Sequence, residues 1–147
     1  MKVNSVIFMV VPKEIEKIIL TSKNIAVVGA SRDPEKASYL IPKYLQEQGY
    51  KIIPVNPKAD EILGEKAYSS LMEIKERVDI VDIFRPSEYT PKIVEEAIKL
   101  KPKLIWLQLG IQNNEAMEIA TQNNIPFIMN KCLKVEHITI MRNKGTK

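Results

Sequence analysis

The stretch VVGASRDPEK, from Val27 to Lys36, carries the clearest chemistry in this chain. Small apolar residues run into Gly29 and then into a polar, charged turn. That is how a buried strand hands over to a helix whose first amides can face a phosphate. A dinucleotide fingerprint would need two more glycines, and Ser31 and Pro34 stand in those places. A close-packed NAD pyrophosphate pose is therefore not expected. A phosphate-bearing ligand over Gly29, Ala30, Ser31 and Arg32 is, with the helix end contributing roughly 0.3 to 1 kcal/mol per anionic charge in an exposed setting. An ordinary strand-to-helix turn is the plainer alternative.

A second apolar run ends in Asn56, Pro57 and Lys58. NAD enzymes usually place a carboxylate there to hold the ribose hydroxyls. A lysine instead, with Arg32 and Lys36 across the loop, favours a ribose that itself carries a phosphate, as in NADP and coenzyme A. Against this, Lys36 and Lys58 can each be read as a solvated surface charge. Three further runs end in Phe84, Arg85 and Pro86; in Gln108, Gly110 and Ile111; and in Asn130, Lys131 and Cys132. In an open parallel sheet the ligand lies at the carboxyl ends of the strands, where strand order reverses. The five tips are therefore expected to converge on one crevice.

Three other residues have competing readings. Asp82 sits in an apolar run, where an ionised carboxylate is costly unless paired or hydrogen-bonded; it is expected to hold a loop or Arg85, with acid–base work the alternative. Cys132 reads as a small buried hydrophobe, or as a thiol facing a thiol-ended ligand. His137, the only histidine, has no identifiable nucleophile partner and reads as structural.

The elements that must position these residues follow from periodicity. Pro12 with Ile15, Ile18 and Ile19 indicates a short amphipathic helix. NIAVVG, YKIIPVNP, VDIVDIF, KLIWLQLG and IPFIMN read as five strands. Between them, ASYLIPKYLQEQG reads as a helix despite Pro42, closed by Gly49. SSLMEIK indicates a short helix, TPKIVEEAIKL a helix with Thr90 as N-cap and Pro91 first inside, and NNEAMEIATQNN another. The tail from Lys131 to Lys147 stays ambiguous. Short continuous apolar runs alternating with helices call for an α/β fold: a doubly wound, parallel five-stranded sheet, Rossmann-like, in three α/β/α layers.

Composition narrows the function classes. At 147 residues and 45% hydrophobic content, one compact core is affordable and a second is not, so residues 1–12 are expected as an N-terminal extension and 13–147 as one domain. Translation could equally start at Met9. The 22 basic and 18 acidic residues are scattered, leaving a net charge of +4 that suits an anionic small molecule. Nucleic acid is not expected, since no basic stripe with interleaved aromatics exists. No segment reaches the roughly 20 apolar residues of a membrane span, and MKVNSVIFMVV lacks a signal cleavage site, so a cytoplasmic protein is expected. One cysteine excludes an internal disulfide, and no Cys/His set has zinc spacing. A symmetric homodimer is the default for so small a domain.

From about Glu14 to His137 the chain resembles the small stand-alone CoA-binding Rossmann proteins, which are similar to the CoA-binding domain of succinyl-CoA synthetase alpha subunits and ADP-forming acyl-CoA synthetases. IAVVGASRDPEKASY, GYKIIPVNPK, LGEKAYSSL, VDIVDIFRPSE, LIWLQLGIQNNEA and NKCLKVEH carry the resemblance. It implies a coenzyme A site built from Gly29 to Arg32, Asn56-Pro57, Phe84 to Pro86, Gln108 to Gly110 and Asn130 to Cys132. Where such proteins often show Asp-Arg before the cysteine, this chain has Asn130-Lys131. The phosphorylated histidine of the multidomain synthetases lies in a further domain, so His137 does not inherit that role. The expected function is a binding module for coenzyme A or a short acyl-CoA: a carrier, sensor or partner subunit. An NADP- or CoA-dependent enzyme is the rival, weakened by the lack of a complete catalytic constellation. An interaction domain that has lost its ligand is a third reading.

Overall fold

The computed structural model describes residues 11–145; the first ten residues of the expected N-terminal extension, including the alternative start at Met9, lie outside them. Val11 is already buried against the core, and Pro12 leads into α1 (Lys13–Thr21). The chain then runs through β1 (Asn24–Val28), α2 (Ala37–Glu47), β2 (Lys51–Val55), a small ladder of β3 (Glu61–Ile62) and β4 (Glu65–Lys66), then β5 (Ile80–Ile83). It continues through α3 (Thr90–Ala97), β6 (Leu104–Leu107), α4 (Asn114–Gln122), β7 (Phe127–Ile128) and α5 (Leu133–Gly145).

The five long-range strands form the expected parallel sheet, ordered β2-β1-β5-β6-β7. Order reverses between β1 and β5, so the crevice for a ligand opens there. Both faces are covered, which is why the strands read as unbroken apolar runs rather than alternating ones. Ile25, Val27, Ile52, Ile80, Leu104 and Trp106 face α1, α2 and α5. Ala26, Val28, Ile53, Val81, Ile83 and Ile105 face α3 and α4. Each fully buried Ile or Leu in these layers contributes about 1.5 to 3 kcal/mol relative to exposure.

Local boundaries differ from expectation in informative places. Thr90 is the first residue of α3 rather than its N-cap: a 3-10 turn at Ser87–Tyr89 precedes it, and the Thr90 hydroxyl donates backward to the Ser87 carbonyl at 2.7 Å. β7 covers two residues, Phe127–Ile128, of the expected IPFIMN, whose last residue Asn130 takes left-handed backbone at φ 61°. Leu71–Glu73 is a single 3-10 turn, capped by the Ser70 hydroxyl accepting from the Met72 amide at 3.0 Å. The ambiguous tail is α5, whose Leu133, His137 and Ile140 bury one stripe. Pro54 is accommodated because β2 is an edge strand, where a missing N–H costs no ladder bond.

Candidate functional site

A cavity of about 920 Å³ opens at the carboxyl ends of β1, β2 and β5. That is within the usual range for small-molecule and cofactor sites. Its floor is Val28, Gly29 and Ala30, continuing into Ser31. The chain approaches β5 so closely here that a Cβ on Gly29 would lie 2.6 Å from the Phe84 carbonyl oxygen, and the residue holds φ at +89°. Only glycine fits. Its amide donates to the Val55 carbonyl at 2.9 Å, while the Phe84 amide donates to the Val28 carbonyl at 2.8 Å, so the three tips are stitched together.

The loop after Gly29 supports itself. The Ser31 hydroxyl accepts from the Asp33 amide at 2.9 Å, and the Asp33 carboxylate accepts from the Glu35 amide at 3.0 Å. Lys36 occupies the N-cap of α2 with no side-chain cap. The amides of Ala30, Arg32, Ala37 and Ser38 donate to no acceptor among the described residues. Those unpartnered donors, at the positive end of an eleven-residue helix, are what an anion needs.

Asn56 plays a different part from the one its position suggests. Its side-chain amide donates to the Ala30 carbonyl at 2.8 Å, and its oxygen accepts from the Lys58 amide at 2.8 Å. It therefore ties the second tip to the first and leaves Lys58 at the rim. Pro57 lines the same wall. Lys36, Lys58, Arg85 and Lys92 line the cavity, and none is ion-paired among the described residues. Arg85 lies over the Tyr89 ring at 5.2 Å, which holds the guanidinium at the edge of the site. Glu88 and Glu96 add two carboxylates on the α3 side.

Of the residues singled out from the sequence, the cavity gathers Gly29, Ala30, Ser31, Lys36, Asn56, Pro57, Lys58, Phe84 and Arg85. Arg32 and Pro86 are exposed beside it, outside the lining. The tips of β6 and β7 lie outside this lining but adjoin the third strand end: the Gln108 amide donates to the Ile83 carbonyl at 3.2 Å, and the Gln112 amide to the Ser87 hydroxyl at 3.1 Å. The two tips are also bonded to each other. The Gly110 amide donates to the Asn130 side-chain oxygen at 2.7 Å, and the Asn130 amide to the Ile111 carbonyl at 3.0 Å. Gln108 is buried and its side-chain oxygen accepts from the Leu133 amide at 3.1 Å, fixing the start of α5. Lys131 gives its carbonyl to the Trp106 indole N–H at 2.8 Å. Cys132 is half-buried against the core on the α2–α5 face, and its carbonyl accepts from Glu136 in the first turn of α5.

The sequence reading missed the far wall. Ser69, Ser70 and Leu71 border the cavity because Tyr68 bridges Val55 in parallel, its amide donating to Pro54 at 2.9 Å and its carbonyl accepting from Asn56 at 2.8 Å. Tyr89, Lys92, Ile93 and Glu96 were missed too, although their i, i+3, i+4, i+7 spacing marks one helix face.

The remaining candidates lie elsewhere. Asp82 bonds neither a loop nor Arg85 among the described residues: both its oxygens are buried without a partner there. His137 is buried, its Nδ1 lies 2.7 Å from the Tyr44 hydroxyl, and burial lowers its pKa below the ordinary value. It clasps α5 to α2. No group of three metal-ligating side chains occurs among the described residues, and none of their helices is long and apolar enough to cross a membrane.

Known proteins share this architecture. The uncharacterized protein YneT of Bacillus subtilis is 45% identical over 124 residues, covering 84% of this chain and 92% of its own. The ADP-forming acetate–CoA ligase of Methanocaldococcus jannaschii is 34% identical over 135 residues, which is 86% of this chain but 19% of the ligase. A hypothetical protein of Pyrococcus horikoshii superposes with a TM-score of 0.87 at 36% identity, over 96% of this chain and 99% of that one. Residues 23–138, which hold the whole sheet and every wall of the cavity, match the CoA binding domain family, and the chain belongs to it.

Proposed function

We propose that this chain binds coenzyme A or a short acyl-CoA in the cavity between the tips of β1, β2 and β5, and works as a carrier, sensor or partner subunit. One observation carries the reading: the unpartnered amides of Ala30 and Ser38 and four cations without an ion pair among the described residues line a single cavity in a chain of the CoA binding domain family. The pyrophosphate would lie over the Gly29–Ser38 loop, and the 3′-phosphate would meet Lys36 and Lys58. Phe84 and Arg85 would flank the pantetheine arm, directing it toward Gly110 and Cys132. In this reading residues 13–147 act as one domain in the cytoplasm, and light scattering decides whether they do so as a homodimer.

Thermal shift with coenzyme A, 3′-dephospho-coenzyme A, NAD and NADP in parallel tests it. A ligand at about 100 times its dissociation constant stabilises the native state by roughly 2.7 kcal/mol, which is readily seen as a raised Tm. Coenzyme A is expected to outrank its dephospho form, and both to outrank NAD. A preference for NAD would sink the reading.

A further inference from the structure

Among the described residues, Asp82 is the one side chain whose buried polar atoms meet nothing: both carboxyl oxygens are sealed from solvent and unbonded. It lies within β5, in register with Val27 of β1 and Trp106 of β6. In-register neighbours of a parallel sheet share a face, so Val27, Asp82 and Trp106 form one row beneath α2 and α5. Residues two further along return to the same face. Phe84 therefore stands directly above Asp82, packed on this core and lining the cavity at once. Val27 stands in the same relation to Gly29.

Among the described residues, nothing in this layer bonds Asp82 or pairs with it. α1, β1 and β2 present Ile15, Ile19, Ile25 and Ile52 to it. Its ionisable side chains are Tyr44, Tyr50, Cys132 and His137. Tyr44 and His137 bond each other, Tyr50 donates to the Ile19 carbonyl, and none of the four bonds Asp82. Lys131, in the turn after β7, meets this layer through its carbonyl, which takes the Trp106 indole N–H. Burial alone pushes the Asp82 carboxyl well above the ordinary carboxylate range.

We propose that Asp82 is a proton-dependent lock on the cavity. While it carries its proton, the Val27–Asp82–Trp106 row stays closed beneath Gly29 and Phe84. When the proton leaves, the charged carboxylate draws in water, the row loosens and the bound ligand is released. The ligand half of this rests on the function proposed above; the proton half does not.

Trp106 is the only tryptophan, so its emission reports on this row. The test is denaturant unfolding followed by that emission from pH 5 to 9 for the native chain, Asp82→Asn and Asp82→Leu, with coenzyme A affinity measured by calorimetry across the same range. The unfolded carboxyl ionises near pH 3.9 and the native one much later, so the native chain's folding constant falls relative to Asp82→Asn by about tenfold per pH unit until the native carboxyl ionises, and then runs parallel. Coenzyme A affinity in the native chain relative to Asp82→Asn holds level until the native carboxyl ionises and falls above that point, a comparison that cancels the ligand's own ionisations. Equal folding slopes in native and variant chains overturn the proposal. Should Asp82→Asn not fold, Asp82→Leu serves as the reference. Should neither fold, the native chain's own Trp106 emission must titrate once below global unfolding, and its failure to do so is equally fatal. Constant affinity ratios with unequal folding slopes overturn the lock while leaving the proton in place. No binding of coenzyme A at any pH overturns the proposed ligand and the lock together, and the folding slopes still show which half failed.

Discussion

The Ser31 amide donates to the Ser38 carbonyl at 3.1 Å, joining the cavity loop to the first turn of α2. In an uninterrupted helix that carbonyl would accept from residue 42. Residue 42 is proline, has no N–H, and leaves the carbonyl to the loop. A residue that ought to weaken the helix thus anchors the loop. Pro42→Ala supplies a competing donor, and the Ser31 amide is expected to lose protection in hydrogen exchange. Global stability should change by less than about 1 kcal/mol, the regained helix bond offsetting the lost packing of the ring. Unaltered Ser31 exchange would contradict this role for Pro42.

Gly29 and Gly110 share φ +89°, yet their surroundings differ. A Cβ at Gly29 meets the Phe84 carbonyl at 2.6 Å, whereas at Gly110 nothing lies within 4 Å. Gly110→Ala is expected to cost only the backbone term of about 1 to 2 kcal/mol. Gly29→Ala adds displacement of the β5 tip, lowers Tm further and abolishes ligand binding. Equal losses for the two substitutions in thermal unfolding would contradict this.

If Lys36 and Lys58 meet the 3′-phosphate, their loss should be selective. Lys36→Ala and Lys58→Ala are each expected to weaken coenzyme A by about tenfold, the scale of one charge-assisted hydrogen bond, and to leave 3′-dephospho-coenzyme A nearly unchanged. Competition binding with the two ligands reads the difference. Equal weakening of both would place those lysines on another part of the ligand.

Asp79 opposes Asp82 in sign. Burial alone would raise its carboxyl, but the amides of Asn24 and Lys23, at 3.0 and 2.9 Å, then Arg77 and Lys103, outweigh burial and hold it below the ordinary value. Its contribution is therefore present above the unfolded pKa of about 3.9 and lost as pH falls through the lower native one. Asp79→Ala is expected to cost roughly 1 to 3 kcal/mol at neutral pH by orphaning two amides, and to flatten the acid side of the stability curve. Unfolding midpoints from pH 2 to 6 check both.

The sheet was legible in the sequence because strands buried on both faces cannot hide: IAVV and LIWL have no polar residue to confuse their reading. The Gly29 turn was legible for a similar local reason. The far wall of the cavity was not, since Ser69 to Leu71 reach it through the Val55–Tyr68 bridge, a pairing with no period of its own. α5 escaped notice because its buried stripe is only three residues long and one of them is His137. Apolar periodicity could place the tips of β6 and β7 at the same end of the sheet as the others. It could not show that Asn130 and Gly110 would turn toward each other.

The bond between Gly110 and Asn130 closes the β6–β7 side of the upper rim on itself, and Ser87 moors that side to the turn after β5 through Gln112 and Asn113. Substitution of Leu109, which is 68% exposed, can therefore reshape what the β6 side presents to the surroundings while that mooring stays in place.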